Sequence, residues 1–162
     1  MRLLFAALLT ATPAAAQVGA PQQPQADITA PACDYLDRDP NSCSRVLACI
    51  GDDGLWFDGQ ARGWGSGTVS GRISDGTLCE GTWAYETRGS TARSNLVCED
   101  GVEIGVLYTQ QDPATGTGIG SGLDSRGREI MAWSGAHLLR FLTPEGDLKA
   151  RLQCGDAPIP IS

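Results

Sequence analysis

The chain has 162 residues, with 12 Lys and Arg against 19 Asp and Glu, so its formal net charge is −7. An acidic surface repels phosphate backbones and anionic lipid heads, which argues against nucleic acid and membrane surfaces as partners; it favours solubility and, if any partner, a basic protein. No apolar run approaches the ~20 residues that span a bilayer, so no membrane insertion is expected.

The first element is the leader "MRLLFAALLTATPAAAQ". One arginine, an apolar run from Leu3 to Leu9 and the small residues Ala14 to Ala16 predict a secretory signal peptide over 1–16, cut after Ala16. The mature protein is then periplasmic or secreted. Residues 17–31, rich in Pro and Gln without apolar periodicity, read as a disordered linker, and 32–162 as a single β domain.

All six cysteines, Cys33, Cys43, Cys49, Cys79, Cys98 and Cys154, follow the leader. An even number in an exported chain reads as disulfides. Zinc is disfavoured because no C-x2-C pair occurs and His137 is the only histidine. Near the first cysteines, Ser42-Cys43-Ser44 predicts the cap of a short helix running through Leu47, since a serine hydroxyl bonds a free amide at a helix start.

Beyond Gly51 the signals change to turns. Asp53-Gly54, Asp75-Gly76, Asp100-Gly101, Arg126-Gly127 and Glu145-Gly146 recur at intervals of 19 to 26 residues, each between short stretches of alternating polarity. Asp-Gly favours two-residue type I′ hairpin turns. After the second turn, Cys79, Gly81, Trp83 and Tyr85 share one strand face; after the third, Val102, Ile104, Val106 and Tyr108 do. After the fourth, Ile130, Met131 and Trp133 follow with looser alternation. The many glycines let strands bend or let aromatic rings lie over bare backbone.

These elements predict an all-β fold: an antiparallel meander of about five hairpin repeats, hence about ten strands, as a barrel or strongly coiled sheet. Within it, Cys79 and Cys98 face each other across neighbouring strands, Cys49 and Cys154 tie the ends of the sheet, and Cys33 and Cys43 form a local bridge.

The stretch "WFDGQARGWGSGTVSGRISDGTLCEGTW", with Phe57-Asp58-Gly59 and Cys79-Glu80-Gly81-Thr82-Trp83 one repeat apart, resembles the MORN type of hairpin repeat over about 55–110. That resemblance implies a scaffold for binding, with no catalytic residue. "LVCEDGVEIGVLY", followed by Ser121-Gly122, Trp133 and Cys154, resembles periplasmic inhibitors of c-type lysozyme over about 96–154. That implies a protruding loop at Ser121 to Ser125 near Trp133 that engages a basic hydrolase.

Candidate chemistry is sparse. A nucleophile–base pair needs a histidine with partners, and His137 in "GAHLLRFL" has no surrounding motif, so it reads as structural. The acids Asp52-Asp53 and Glu99-Asp100 coincide with turns, where Asp is favoured for its short hydrogen-bonding side chain. Glu80 stands apart from them on a strand. Asp37-x-Asp39-x-Asn41 has the spacing of the first ligands of a calcium loop but lacks the glycine and distal glutamate of one.

No catalytic residue, cofactor or metal site is therefore expected. The remaining candidates for binding are Trp56, Trp64, Trp83 and Trp133, as an exposed platform or as core, together with Ser121. The function expected is non-enzymatic: binding a protein or glycan in the cell envelope, or a structural role there. Inhibition of an exported hydrolase is the alternative.

Overall fold

A computed structural model describes residues 33–86, 91–112, 115–138 and 153–159. The signal peptide, the linker over 17–31 and the fifth turn at Glu145-Gly146 lie outside the described residues.

Eight strands form a closed meander: β1 (Cys43–Ile50), β2 (Leu55–Trp64), β3 (Ser66–Ile73), β4 (Leu78–Tyr85), β5 (Thr91–Cys98), β6 (Glu103–Asp112), β7 (Thr117–Asp124) and β8 (Glu129–Ser134). Each strand pairs antiparallel with the next, and β8 returns to β1 through Val46 opposite Ser134 and Ile50 opposite Ile130. Closure removes the sheet's edges. A stacked array of hairpins would instead leave two edges; among the described residues, four of the five expected hairpins close on themselves, the fifth turn lying outside them. A separate two-stranded ribbon, β9 (Gln153–Cys154) and β10 (Ala157–Pro158), follows the barrel.

The helix expected through Leu47 is strand β1. Ser42 Oγ does not cap; it accepts a hydrogen bond from the Leu36 amide at 3.0 Å. The misreading has a physical cause. Val46, Ala48 and Ile50 point into the barrel, while Leu47 on the opposite face is also fully buried. A strand covered on both faces shows a continuous apolar run rather than alternation.

Interior positions otherwise alternate cleanly. Val102, Ile104, Val106 and Tyr108 are buried along the β5–β6 turn and β6, and Ala92, Ser94, Leu96 and Cys98 along β5. Ile130 and Ala132 fill the inside of β8; Met131 and Trp133, expected with Ile130, face outward. The outer face carries Glu80, Arg93, Asn95, Glu103 and Ser121 in exposed positions. The same face also exposes Leu78, Val97, Leu107, Ile119, Leu123 and Met131.

The turns at one end are tight, though not of type I′. In three of them the same pattern repeats: Ile73, Cys98 and Asp124 each accept from the glycine three residues on (Gly76, Gly101, Gly127) and donate to the carbonyl four residues on. Only the glycines have positive φ, at 103°, 78° and 78°. These are three-residue loops, a type I turn followed by a glycine bulge. Asp75 and Asp100 keep negative φ because each carboxylate accepts the amide two residues on, from Thr77 and Val102.

Three disulfides join Cys33 to Cys43, Cys49 to Cys154 and Cys79 to Cys98. The last links directly paired residues of β4 and β5. Cys49–Cys154 does not tie the sheet's ends, because β1 and β8 already pair. It clips the ribbon to the outer face of β1, where Leu47, Leu138, Cys154 and Ile159 form a second small core with Trp56 and Trp133. Intramolecular disulfides fit an oxidising compartment.

Candidate functional site

An antiparallel meander sends alternate turns to opposite ends. The glycine-bulge turns close one end; the other is reached by Gly65, Glu86, Thr115, Gly116 and the start of β1. The closed end is filled. The Phe57 ring lies over Gly59 and Gly71, so close that a Cβ at either glycine would sit 2.5 Å from it. Ile50, Ile73, Val102 and the Cys79–Cys98 bridge complete this plug.

The open end is not filled. A cavity of about 60 Å3, open at its mouth, descends into the barrel. Its aromatic walls are Trp64 at the end of β2, Trp83 and Tyr85 on β4, Tyr108 on β6 and Tyr35 from the segment before β1. Between them the strands present small residues: Ala61, Gly63, Ala92 and Gly118. Val46, Val69 and Tyr108 also line a deeper, smaller apolar space of about 20 Å3, so the cavity borders the core. An eight-stranded barrel is about wide enough either to be filled by side chains or to hold one small ligand. Here one half does each.

The walls are fixed from behind. Trp83 Nε1 donates to the Arg62 carbonyl at 3.1 Å, and its ring meets Tyr85 edge-on with centroids 5.4 Å apart. Tyr35 packs on Trp64 at 6.1 Å. It is held there by the Cys33–Cys43 bond and by the Cys43 amide donating to the Asp34 carbonyl at 2.9 Å.

Polar atoms in the cavity are hydroxyls. Among the described residues, no Lys, Arg, Asp or Glu lines it. Ser94 is 2% exposed, and its Oγ is sealed from solvent with no well-formed hydrogen bond, the Tyr108 hydroxyl being its weak partner. Tyr108 is 8% exposed, and burial pushes its phenol up to about 12, offset slightly by the nearby Ser94 hydroxyl. That phenol stays neutral at any ordinary pH.

The four tryptophans do not form one platform. Trp64 and Trp83 belong to the cavity; Trp56 and Trp133 are half-buried in the outer core beneath the C-terminal ribbon. Ser121 lies in the middle of β7, on the outer face between Leu107 and Met131, and Ser125 begins a tight turn. Ser121 to Ser125 therefore form no protruding loop. Asp52-Asp53 and Glu99-Asp100 sit at closed-end turns, and Glu80 points outward from β4. Asp39 accepts from the main-chain and side-chain nitrogens of Asn41, an Asx turn. His137, in the turn after β8, donates its amide to Thr117 Oγ1.

Sequence reasoning missed Ser94, Ala92 and Tyr35. A signal existed for two of them: the inward face of β5 reads Ala92, Ser94, Leu96, Cys98, small at one end and larger at the other. Tyr35 reaches the cavity only through the Cys33–Cys43 fold-back, which strand periodicity does not show.

No family model and no curated protein matches the chain. Among solved structures, similar folds include the redesigned beta barrel mFAP1 bound to DFHBI, at 20% identity over 59% of this chain and 93% of that one, with a TM-score of 0.46. The redesigned barrel mFAP0 bound to DFHBI, at 19% identity over 59% of this chain and 97% of that one, has a TM-score of 0.45.

Proposed function

We propose that this is an exported, non-catalytic binding protein of the cell envelope whose barrel mouth takes up one small, largely apolar molecule. The observation that carries the reading is the half-filled barrel: an aromatic-walled cavity with small residues between the rings and, among the described residues, no charged side chain in its lining. Such concave, mostly apolar sites with few polar groups are the usual form of small-molecule sites. Export through the leader over 1–16, with cleavage after Ala16, agrees with three disulfides that persist in an oxidising periplasm or outside the cell. The net charge of −7 suits a soluble carrier.

The test is fluorescence of N-phenylnaphthylamine, a neutral aromatic probe that is dim in water. It is expected to brighten on titration with oxidised protein, saturating at one probe per chain. Ala92→Phe places a ring in the cavity and is expected to abolish the signal while far-ultraviolet circular dichroism is unchanged. A wild-type protein that gives no saturable signal overturns the reading.

A further inference from the structure

We infer that the cavity selects a flat, neutral ligand bearing one oxygen, a carbonyl or hydroxyl, and that Ser94 Oγ with the Tyr108 hydroxyl anchors it at the cavity floor. This rests on the barrel mouth being a ligand site, and it adds what the site recognises.

A pair of buried hydroxyls stands at the cavity floor. Among the described residues, Arg72 Nε, Ser94 Oγ and His137 Nδ1 are buried side-chain polar atoms that make no well-formed hydrogen bond, and of these only Ser94 lines the cavity, where the Tyr108 hydroxyl is its weak partner. A buried hydroxyl that has exchanged water for one poor partner destabilises the empty protein. An alanine would fill nearly the same space without that penalty. Retaining serine there is explained if a guest supplies the missing partner.

Position agrees with this. Ser94 stands opposite Trp83 on one side and Val106 on the other. Trp83 lines the upper cavity and Val106 the deeper apolar space, so Ser94 lies where the two meet. Tyr108 lines both spaces and lies near enough to Ser94 for the two hydroxyls to influence one another. The other lining serines differ: Ser42 Oγ already serves the Leu36 amide, and Ser44 and Ser134 are half-exposed.

Neutrality and flatness follow from the remaining lining. With no ionic side chain to pair it, a charged guest would lose its hydration without compensation. Rings of Trp64, Trp83 and Tyr85 favour a π-system that stacks or meets them edge-on.

A matched pair of probes isolates the oxygen. Fluorenone and fluorene are both flat, neutral tricycles, differing by a carbonyl in place of a methylene. Each competes with N-phenylnaphthylamine for the oxidised, full-length mature protein and for Ser94→Ala and Tyr108→Phe. Fluorenone is expected to bind on the order of fivefold to tenfold more tightly than fluorene in the wild type, the worth of one buried hydrogen bond.

In Ser94→Ala that preference is expected to fall to about twofold or less, and Tyr108→Phe, which keeps the ring, is expected to reduce it as well. Ser94→Ala without ligand is expected to melt within a few degrees of the wild type, because only the weak contact with Tyr108 is lost. Equal binding of the two probes, or a preference that survives both substitutions, overturns the anchor while leaving the cavity reading intact. If neither probe nor the reporter binds, the cavity reading falls, and the anchor with it.

Discussion

The two ends of the barrel are made from the same strands and differ in what their inward positions hold. At the closed end the inside is filled by Ile50, Phe57, Ile73, Cys79–Cys98 and Val102, with Gly59 and Gly71 making room for the Phe57 ring. At the open end the same strands carry Ser44, Ala61, Gly63, Ala92 and Gly118, and the aromatics stand as walls around space. The difference teaches that stability and binding are assigned to opposite halves of one sheet. Removing a closed-end group takes away burial that nothing replaces; removing an open-end group widens a cavity already present.

The largest effect should come from comparing two aromatic truncations. Phe57→Ala is expected to lower the unfolding free energy by about 3–5 kcal/mol in urea denaturation, since the ring is enclosed by Gly59 and Gly71 and leaves a void. Trp64→Ala removes a larger but half-buried ring at the mouth. It is expected to cost about 1 kcal/mol or less while weakening N-phenylnaphthylamine binding at least several-fold. A Trp64→Ala protein as unstable as Phe57→Ala would erase the distinction between the ends.

The disulfides sharpen the same contrast at lower amplitude. Cys79–Cys98 closes a sequence separation of 19 inside the barrel wall, and replacing both residues by serine is expected to cost about 3 kcal/mol. Cys33–Cys43 holds residues 33–42, which precede the barrel. Those residues can detach without opening a strand pair, so Cys33→Ser with Cys43→Ser should leave most of the global stability in place. The same double substitution should speed probe release, because Tyr35 loses its tether beside Trp64. Stopped-flow dissociation and urea melts on the two double variants separate these outcomes.

The closed end was also the legible end. Asp75-Gly76 and Asp100-Gly101 mark their turns because only glycine accepts the positive φ of the bulge position. The turn type was misread for a local reason: the aspartates bond the amide two residues on and keep an ordinary backbone. Cys79 and Cys98 follow from hairpin register, since a tight turn fixes which residues face each other. β1 was not legible, because Leu47 is buried by a ribbon more than 100 residues away in sequence. The cavity was hidden for a related reason. Small inward residues such as Ala92 and Gly118 look identical in sequence whether a neighbour fills the space beside them or nothing does. Only the closure of β8 on β1 decides which.

The two ends should also fail at opposite extremes of pH. At the closed end Asp124 is buried in the third glycine-bulge turn. Burial alone would raise its carboxyl, but the Arg128 and Arg126 amides at 2.9 Å each and Arg128 Nε at 2.6 Å outweigh it and hold it below the ordinary carboxylate range. A folded-state pKa below the unfolded one gives stability that is present above the unfolded value and lost as pH falls through the folded value.

Tyr108 behaves in the reverse sense. Its folded-state value of about 12 lies above the usual 10.0, so its contribution is complete below pH 10 and is lost as pH rises toward 12. Asp124→Asn should lower stability at neutral pH by about 1–2 kcal/mol and flatten the acid limb of the stability curve. Tyr108→Phe should leave the acid limb alone and flatten the alkaline limb by up to about 2–3 kcal/mol, because the ring stays and only the ionisation is removed. The measurement is a set of urea midpoints from acid to alkaline pH for the wild type and both variants. If Tyr108→Phe left the alkaline limb as steep as in the wild type, the phenol would not be as buried as its place between the cavity and the core requires.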